Sequence, residues 1–466
     1  MKLAEPHGAP RSFLLLVLGV VAAFAGPHPV VGQEGHPVRL SVGEAVERAQ
    51  AEDESVRLAR AQQDLADAQI VQARADALPD LSATVGYNRT LASIFDGISL
   101  GPPPEGEDGA ALPFGQANAW TAALSVSQPI YSGGRVGAAL GVARRVEAAA
   151  RLGIEEAELT VAYETRAAYF QALLATELVA ITRESHAVAE AHLAEVRLRR
   201  AQGTVSDFEE LQASVERDNL EPAVIEAAQA RRLAELNLKR LVHLDADTPI
   251  ELTTPLAVEL SDVDRATLRA AALERPSLRA LDEVVGAREG ARSIAAAARL
   301  PSVSAFANFG YQSFPSSFTP IDATWRRDWT LGFQVSIPLF DGLRTRGAID
   351  QAEVEVRQAE LQRSRARSGA SLDVESALAQ LDGALARSRA RRSTVEQARR
   401  ALELAELRFS SGMATQLDVS NSRLLLEQAR VNEVQALHDY INALARLEQV
   451  TGGAIPLLAD LLTGGN

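Results

Sequence analysis

One pattern occurs twice along this 466-residue chain at a nearly fixed offset, so the fold must consist of two similar halves. The segment Gln128 to Gly134, QPIYSGG, reads like Ile337 to Leu343, IPLFDGL, with Pro129 falling on Pro338, a shift of 209 residues. The same shift carries Trp120 onto Trp329, Gly203 onto Gly412 and Ser206 onto Thr415. Leu78-Pro79 matches Leu300-Pro301 at a shift of 222, so the first copy holds 13 more residues between these landmarks. The repeats are expected over 26–245 and 262–450, joined by a proline-containing connector at 246–261 and followed by a short tail, 451–466.

Each copy reads as helix, strand, loop, strand, long helix, turn, long helix. A helical pattern from about Ser41 to Leu78 ends at Pro79, because proline cannot continue the hydrogen-bond ladder and disfavours helix in the residue before it. The second copy repeats this from about Asp262 to Leu300. Alternation of period two then predicts strands at 81–91, 119–131, 302–313 and 328–340. It is clearest where Trp329, Leu331, Phe333, Val335, Ile337 and Leu339 alternate with Thr330, Gly332, Gln334 and Ser336. One face of these strands is apolar, and the other is small and polar.

The loop from Thr90 to Ala119 contains GPPPEGEDG and is too rich in Pro and Gly for regular structure. After each second strand a glycine-bearing turn opens a long proline-free run, predicting helices over 134–202 and 342–411. At 1.5 Å per residue each would be about 100 Å long. Shorter helices are expected at 206–243 and 415–450, with apolar residues such as Val374, Leu378, Leu381 and Leu385 spaced for packing on other helices. Aromatics are only 5% of the chain, which suits long helices better than a conventional globular core.

The N-terminus has Lys2 and Arg11, an apolar run from Phe13 to Phe24 and the small-residue pattern Ala23-Phe24-Ala25, the form of a secretory signal peptide over 1–25. There is no cysteine, which excludes disulfides, thiolate metal sites and an N-terminal lipoprotein anchor. The net charge of −14, with Lys only at 2 and 239, argues against a nucleic-acid partner.

An exported chain whose strands are apolar on one face and polar on the other satisfies what a transmembrane barrel requires, although a soluble sandwich would alternate in the same way. Nothing else in the sequence offers a second sheet to cover the apolar face, and Tyr87, Trp120, Tyr311 and Trp329 lie near the loop ends of strands, where an interfacial girdle would sit. Four strands cannot close a barrel, and an open edge in lipid would leave backbone groups unpaired, so such a chain must oligomerise. Two copies would give eight strands and a filled interior; three would give twelve and room for a pore.

At this point the sequence resembles the TolC-like outer-membrane efflux protein family. The resemblance is carried by the duplicated Leu78-Pro79 and Leu300-Pro301, by the junctions Pro129-Ile130-Tyr131-Ser132-Gly133 and Pro338-Leu339-Phe340-Asp341-Gly342, and by the turn from Arg408 to Val419, RFSSGMATQLDV. It covers nearly everything after Ser41. The fold class it implies is mainly α with a β-barrel portion: a homotrimer with a 12-stranded outer-membrane barrel and a periplasmic helical tunnel. Its implied partners are a second and third copy of itself, outer-membrane lipid, a periplasmic adaptor (membrane fusion protein) and, through that adaptor, an inner-membrane transporter. No catalysis and no cofactor are implied.

Function is expected to concentrate at the turns 202–206 and 411–415. Gly203 and Gly412 fall where long helices should end, in the position that favours a left-handed residue. Ser206 with Glu209, and Thr415 with Asp418, have the form of a capping box. In the resembling family, acidic residues six and nine positions after the second-turn glycine form a constriction; Asp418 matches the first, whereas Asn421 stands at the second. Glu209, Asp418 and Asn421 are therefore candidate gate residues, with helix capping the simpler reading for both acids. Arg199, Gly203, Arg408, Gly412 and Met413 are candidates for adaptor contact, or are ordinary turn surface.

No GxGxxG, phosphate-binding loop, GxSxG or HExxH occurs. His186 and His192 are six apart and read as solvated helix histidines rather than a metal pair. A periplasmic coiled-coil adaptor or scaffold that is not a channel is the competing reading.

Overall fold

The computed structural model describes residues 37–92, 94, 117–258, 260, 263–315, 317–320 and 324–453. The expected signal peptide, most of the long Pro- and Gly-rich loop and most of the C-terminal tail lie outside these residues. In chain order the elements are β1 (Val38–Leu40), α1 (Val42–Glu52), α2 (Glu54–Ala75), β2 (Asp80–Arg89), β3 (Asn118–Tyr131), α3 (Arg135–Ala201) and α4 (Asp207–Leu241). They continue as β4 (Ile250–Leu252), α5 (Arg265–Ala272), α6 (Pro276–Ala297), β5 (Ser302–Ser313), β6 (Trp325–Ser336), α7 (Arg344–Ser410) and α8 (Gln416–Val450).

The duplication is carried to the residue. α3 and α7 are 67 residues each, α4 and α8 are 35 each, and every boundary moves by 209 between copies. α2 and α6 are 22 each and move by 222.

Two differences from the sequence reading have local causes. The helix expected over 41–78 is broken, because Asp53 adopts extended backbone (ψ 135°) and its carboxylate accepts the Ser55 N–H at 2.8 Å, starting a new helix. Its counterpart over 262–300 breaks where Pro276 occupies the first turn of α6, a position at which its missing N–H costs nothing. The second difference is in the connector, which contains a strand. β4 pairs in parallel with β1, and the Tyr169 hydroxyl donates to Leu40 O at 2.8 Å while accepting the Thr254 N–H at 2.9 Å. A buried tyrosine of α3 thus ties the small sheet to the helices, beside the core formed by Phe170, Leu381, Tyr440, Ile441 and Leu444.

The larger sheet is ordered β2-β3-β5-β6, all antiparallel. α2 leads into β2, β3 into α3, α6 into β5 and β6 into α7, and the helices touch in the same lateral order, α2-α3-α6-α7. The four strands therefore continue into four neighbouring helices. Lower down α3 pairs with α4 and α7 with α8, and α8 packs on α3.

Register puts Leu81, Val85, Leu124, Val126, Leu331 and Phe333 on one face, and Ser82, Thr84, Ser125, Asn308, Thr330 and Gln334 on the other. Among the described residues no element covers the apolar face, and Leu331, Phe333 and Val335 are exposed. At the loop end Tyr87 stacks with Trp120 at 5.0 Å, and Phe318 closes on Tyr87 at 4.8 Å. Phe306, which the alternation did not single out, lies on the polar face across from Gly332, where a Cβ would meet its ring at 2.8 Å.

β6 stops at Ser336, four residues short of the expected strand end. The equivalent residues of β3 up to Tyr131 are strand because β5 pairs with them. Among the described residues β6 has no neighbour on its far side, so residues 337–340 pair with none of them, and Leu339 is 93% exposed.

Candidate functional site at the helical tip

Both long hairpins turn in the same way. Gly203 (φ 71°) and Gly412 (φ 72°) are left-handed, a conformation only glycine adopts without strain. Gly203 N donates to Arg200 O at 2.8 Å and Thr204 N to Arg199 O at 3.0 Å; Gly412 N donates to Phe409 O at 2.9 Å and Met413 N to Arg408 O at 2.8 Å. These paired bonds form the glycine-centred Schellman closure of a helix. The candidate contact residues Arg199, Gly203, Arg408, Gly412 and Met413 are thus gathered at two turns, all exposed, with the carbonyls of the two arginines engaged in closing the helices.

The returning helices start with complete capping boxes. Ser206 N donates to Glu209 Oε2 at 2.9 Å and Glu209 N to Ser206 Oγ at 3.3 Å. Thr415 donates to Asp418 Oδ2 through both its backbone N–H and its hydroxyl, each at 2.7 Å, and Asp418 N returns a bond to Thr415 Oγ1 at 3.3 Å. These bonds, with a smaller contribution from Arg408, hold the Asp418 carboxyl below the usual aspartate range. Asn421 lies one turn further on the same face of α8, bordering a groove of about 540 Å³ whose other walls include Val188, Val215, Glu216 and Leu424.

Behind the turns α8 is fastened to both helices of the first repeat. The Ser420 hydroxyl donates to Glu216 of α4 at 3.0 Å, Arg430 pairs with Glu184 of α3 at 2.8 Å, and Gln416 touches the His192 ring of α3. Arg423 also pairs with Glu406 of α7 at 3.2 Å. His192 is therefore not a freely solvated histidine: burial, then the nearby Arg423, lowers its pKa. No local pattern signals this contact, because His192 and Gln416 lie 224 residues apart on separate helices.

A long helical hairpin array continuing into a sheet with an uncovered apolar face defines the class of outer-membrane channel proteins. The outer membrane efflux protein family matches over residues 45–242 and 267–453, and the chain belongs to that family. It is an outer-membrane protein whose helical portion stands in the periplasm. Among its relatives, the pyoverdine export outer membrane protein OpmQ of Pseudomonas putida is 28% identical over 358 residues, 72% of this chain and 71% of that one. The alkaline protease secretion protein AprF of Pseudomonas aeruginosa is 27% identical, covering 81% of this chain and 77% of its own. Among solved structures, the Campylobacter jejuni CmeC outer membrane channel superposes with a TM-score of 0.75 at 18% identity, covering 89% of this chain and 86% of the other.

Proposed function

We propose that this chain is one third of a passive exit duct: three copies close a twelve-stranded barrel in the outer membrane and a helical tunnel beneath it. The observation that carries this reading is the pair of open edges, β2 with α2 on one side and β6 with α7 on the other, in a sheet whose apolar face no described residue of the chain covers. Unpaired edge backbone in lipid costs several kcal/mol per group, so the sheet must close on copies of itself. A periplasmic scaffold would have no use for that uncovered face.

In this reading the tip turns meet a periplasmic adaptor through Arg199, Gly203, Arg408, Gly412 and Met413, and the adaptor couples the duct to an inner-membrane transporter. Asp418, and to a smaller degree Glu209, narrow the closed end, while Asn421 replaces a second acidic ring. Three Asp418 carboxylates would attract cations and repel one another, and widening requires α7 and α8 to move against α3 and α4. Reconstitution of the purified protein into planar bilayers tests the duct. Discrete, cation-preferring conductance steps are expected, and folded protein that inserts but never conducts would count against it.

A further inference from the structure

Away from the tip and the larger sheet, a group of metal-ligating side chains stands where the ends of α1, α2 and α4 meet. Asp53 and Glu54 lie where α1 breaks and α2 begins, and His243 follows the last turn of α4. One oxygen of each carboxylate and one imidazole nitrogen lie within 4.8 Å of one another. His243 Nε2 is 3.8 Å from Glu54 Oε2; although the ring is 25% exposed, that nitrogen is itself buried and has no hydrogen-bond partner. A buried polar atom left unpaired is costly unless a ligand meets it. Asp53 caps α2 through Oδ1, which accepts the Ser55 N–H at 2.8 Å and the Ser55 hydroxyl, and this leaves Oδ2 for a second partner.

The internal duplication supplies an independent comparison. The shift of 209 carries His243 onto Gly452, and the shift of 222 carries Asp53 and Glu54 onto Arg275 and Pro276. The two junctions share one backbone. α4 closes with His243 N on Arg240 O at 3.3 Å and Leu244 N on Lys239 O at 2.9 Å; α8 closes with Gly452 N on Gln449 O at 3.1 Å and Gly453 N on Glu448 O at 2.9 Å. Both central residues are left-handed, His243 at φ 52° and Gly452 at φ 75°. Glycine enters that conformation without strain and histidine does not, so helix closure accounts for Gly452 and not for His243. Gly452 lies directly on Arg275 and Pro276, where a Cβ would meet both at 3.1 Å. In the first repeat the same junction instead holds a side chain facing two carboxylates. All three metal-binding residue types are thus replaced together in the second repeat by residues that cannot serve, and Arg275 pairs with Asp373 of α7 at 3.2 Å.

We infer that Asp53, Glu54 and His243 bind one divalent transition-metal ion of the zinc class, which fastens the break between α1 and α2 to the end of α4. One imidazole and two carboxylates suit the borderline character of Zn2+, with water as the fourth ligand, whereas Mg2+ and Ca2+ prefer oxygen alone. Two ligand atoms on a tetrahedral zinc stand about 3.5 Å apart, so the 3.8 Å between Nε2 and Oε2 is nearly the bound separation. The Glu54 side chain is 80% exposed and gives the ion a path from solvent. Arg48 of α1 donates to Val242 O at 2.7 Å and reaches His243 O at 3.5 Å, tying α1 to the same turn. All three ligands come from a single chain, so the site needs no neighbouring copy.

Calorimetric titration with ZnCl2 of tag-free protein in detergent, previously dialysed against a chelator, tests the site. Wild type should take up one Zn2+ per chain, and its melting temperature should rise with Zn2+ and fall again with EDTA. His243→Gly copies the residue of the second repeat and keeps the helix closure, so it should fold as wild type does while losing the Zn2+ response. Glu54→Gln and Asp53→Asn keep side-chain shape and the α2 cap, and each should weaken Zn2+ binding at least about tenfold; they carry the test should His243→Gly fold poorly. Mg2+ at the same concentration should leave the wild-type melting temperature unchanged. Equal Zn2+ uptake by wild type and the variants would overturn the site, because the ion would then be held elsewhere. Absence of uptake by wild type would reduce the cluster to an ion pair between His243 and Glu54 and overturn it too. Equal stabilisation by Mg2+ and Zn2+ would overturn the assigned class of ion.

Discussion

Thr415 donates both its backbone N–H and its hydroxyl to one carboxylate oxygen of Asp418, each at 2.7 Å, so the residue proposed to narrow the tunnel also completes the cap that starts α8. Only Oδ2 receives those bonds, and the charge remains on an exposed side chain at the tip. Asp418→Ala removes both roles. The expected outcome is higher single-channel conductance and weaker block by divalent cations in planar bilayers; unchanged conductance and block with a lowered melting temperature would leave Asp418 as a cap alone.

Thr415→Ala separates the roles by removing the capping hydroxyl and keeping the carboxylate. It should cost about 1 kcal/mol of stability, seen as a lower melting temperature, while cation block persists. Because the folded pKa of Asp418 is depressed, its ionised cap contributes above the unfolded aspartate value of about 3.9 and is lost as pH falls through the lower folded value. The stability difference between wild type and Asp418→Asn should therefore shrink below about pH 4.

His192 gives the joint between α3 and α8 a different pH dependence. Its pKa is lowered by burial and then by Arg423, against opposing pulls from Glu216 and Glu195, with Arg199 also lowering it. The folded protein thus favours the neutral ring more than the unfolded chain does, and stability is lost as pH falls from about 6.5 towards the folded value. His192→Gln should flatten the change in melting temperature between pH 7.5 and 5.5, a comparison made by scanning calorimetry across that range. A profile identical to wild type would show that protonation at this joint is energetically silent.

Arg166 and Glu448 form an ion pair between α3 and α8 at 2.8 Å, with side chains 20% and 7% exposed. Removing one partner leaves the other charge desolvated, so Arg166→Met should cost about 3 kcal/mol, whereas Arg166→Met combined with Glu448→Leu should recover much of it. Thermal melting of the two variants distinguishes a costly lone charge from a general packing defect.

The sequence made certain features legible for physical reasons. Gly203 and Gly412 could be read as helix ends because only glycine enters the left-handed region cheaply, and the spacing Ser206 to Glu209 and Thr415 to Asp418 encodes a local bond between residues three apart. Period two revealed the strand faces because each side chain must point to one side or the other. The break at Asp53 was hidden, since the apolar periodicity continues through it and only the carboxylate's bond to Ser55 starts a new helix. The parallel pairing of β1 with β4 joins segments more than 200 residues apart, each only three residues long, too short for any periodic signal. The contacts of His192 with Gln416 and of Glu216 with Ser420 are likewise set by how the two repeats pack. Phe306 stood out only once register placed it across from Gly332.

Closure of the sheet's open edges on copies of the same chain in the outer membrane underlies the proposed duct. Fractionation of cells followed by gel mobility with and without heating decides whether that closure occurs. The protein should partition with outer membranes, resist extraction by high salt and run as a trimer that heat converts to a monomer; a freely soluble monomer in the periplasmic fraction would contradict it.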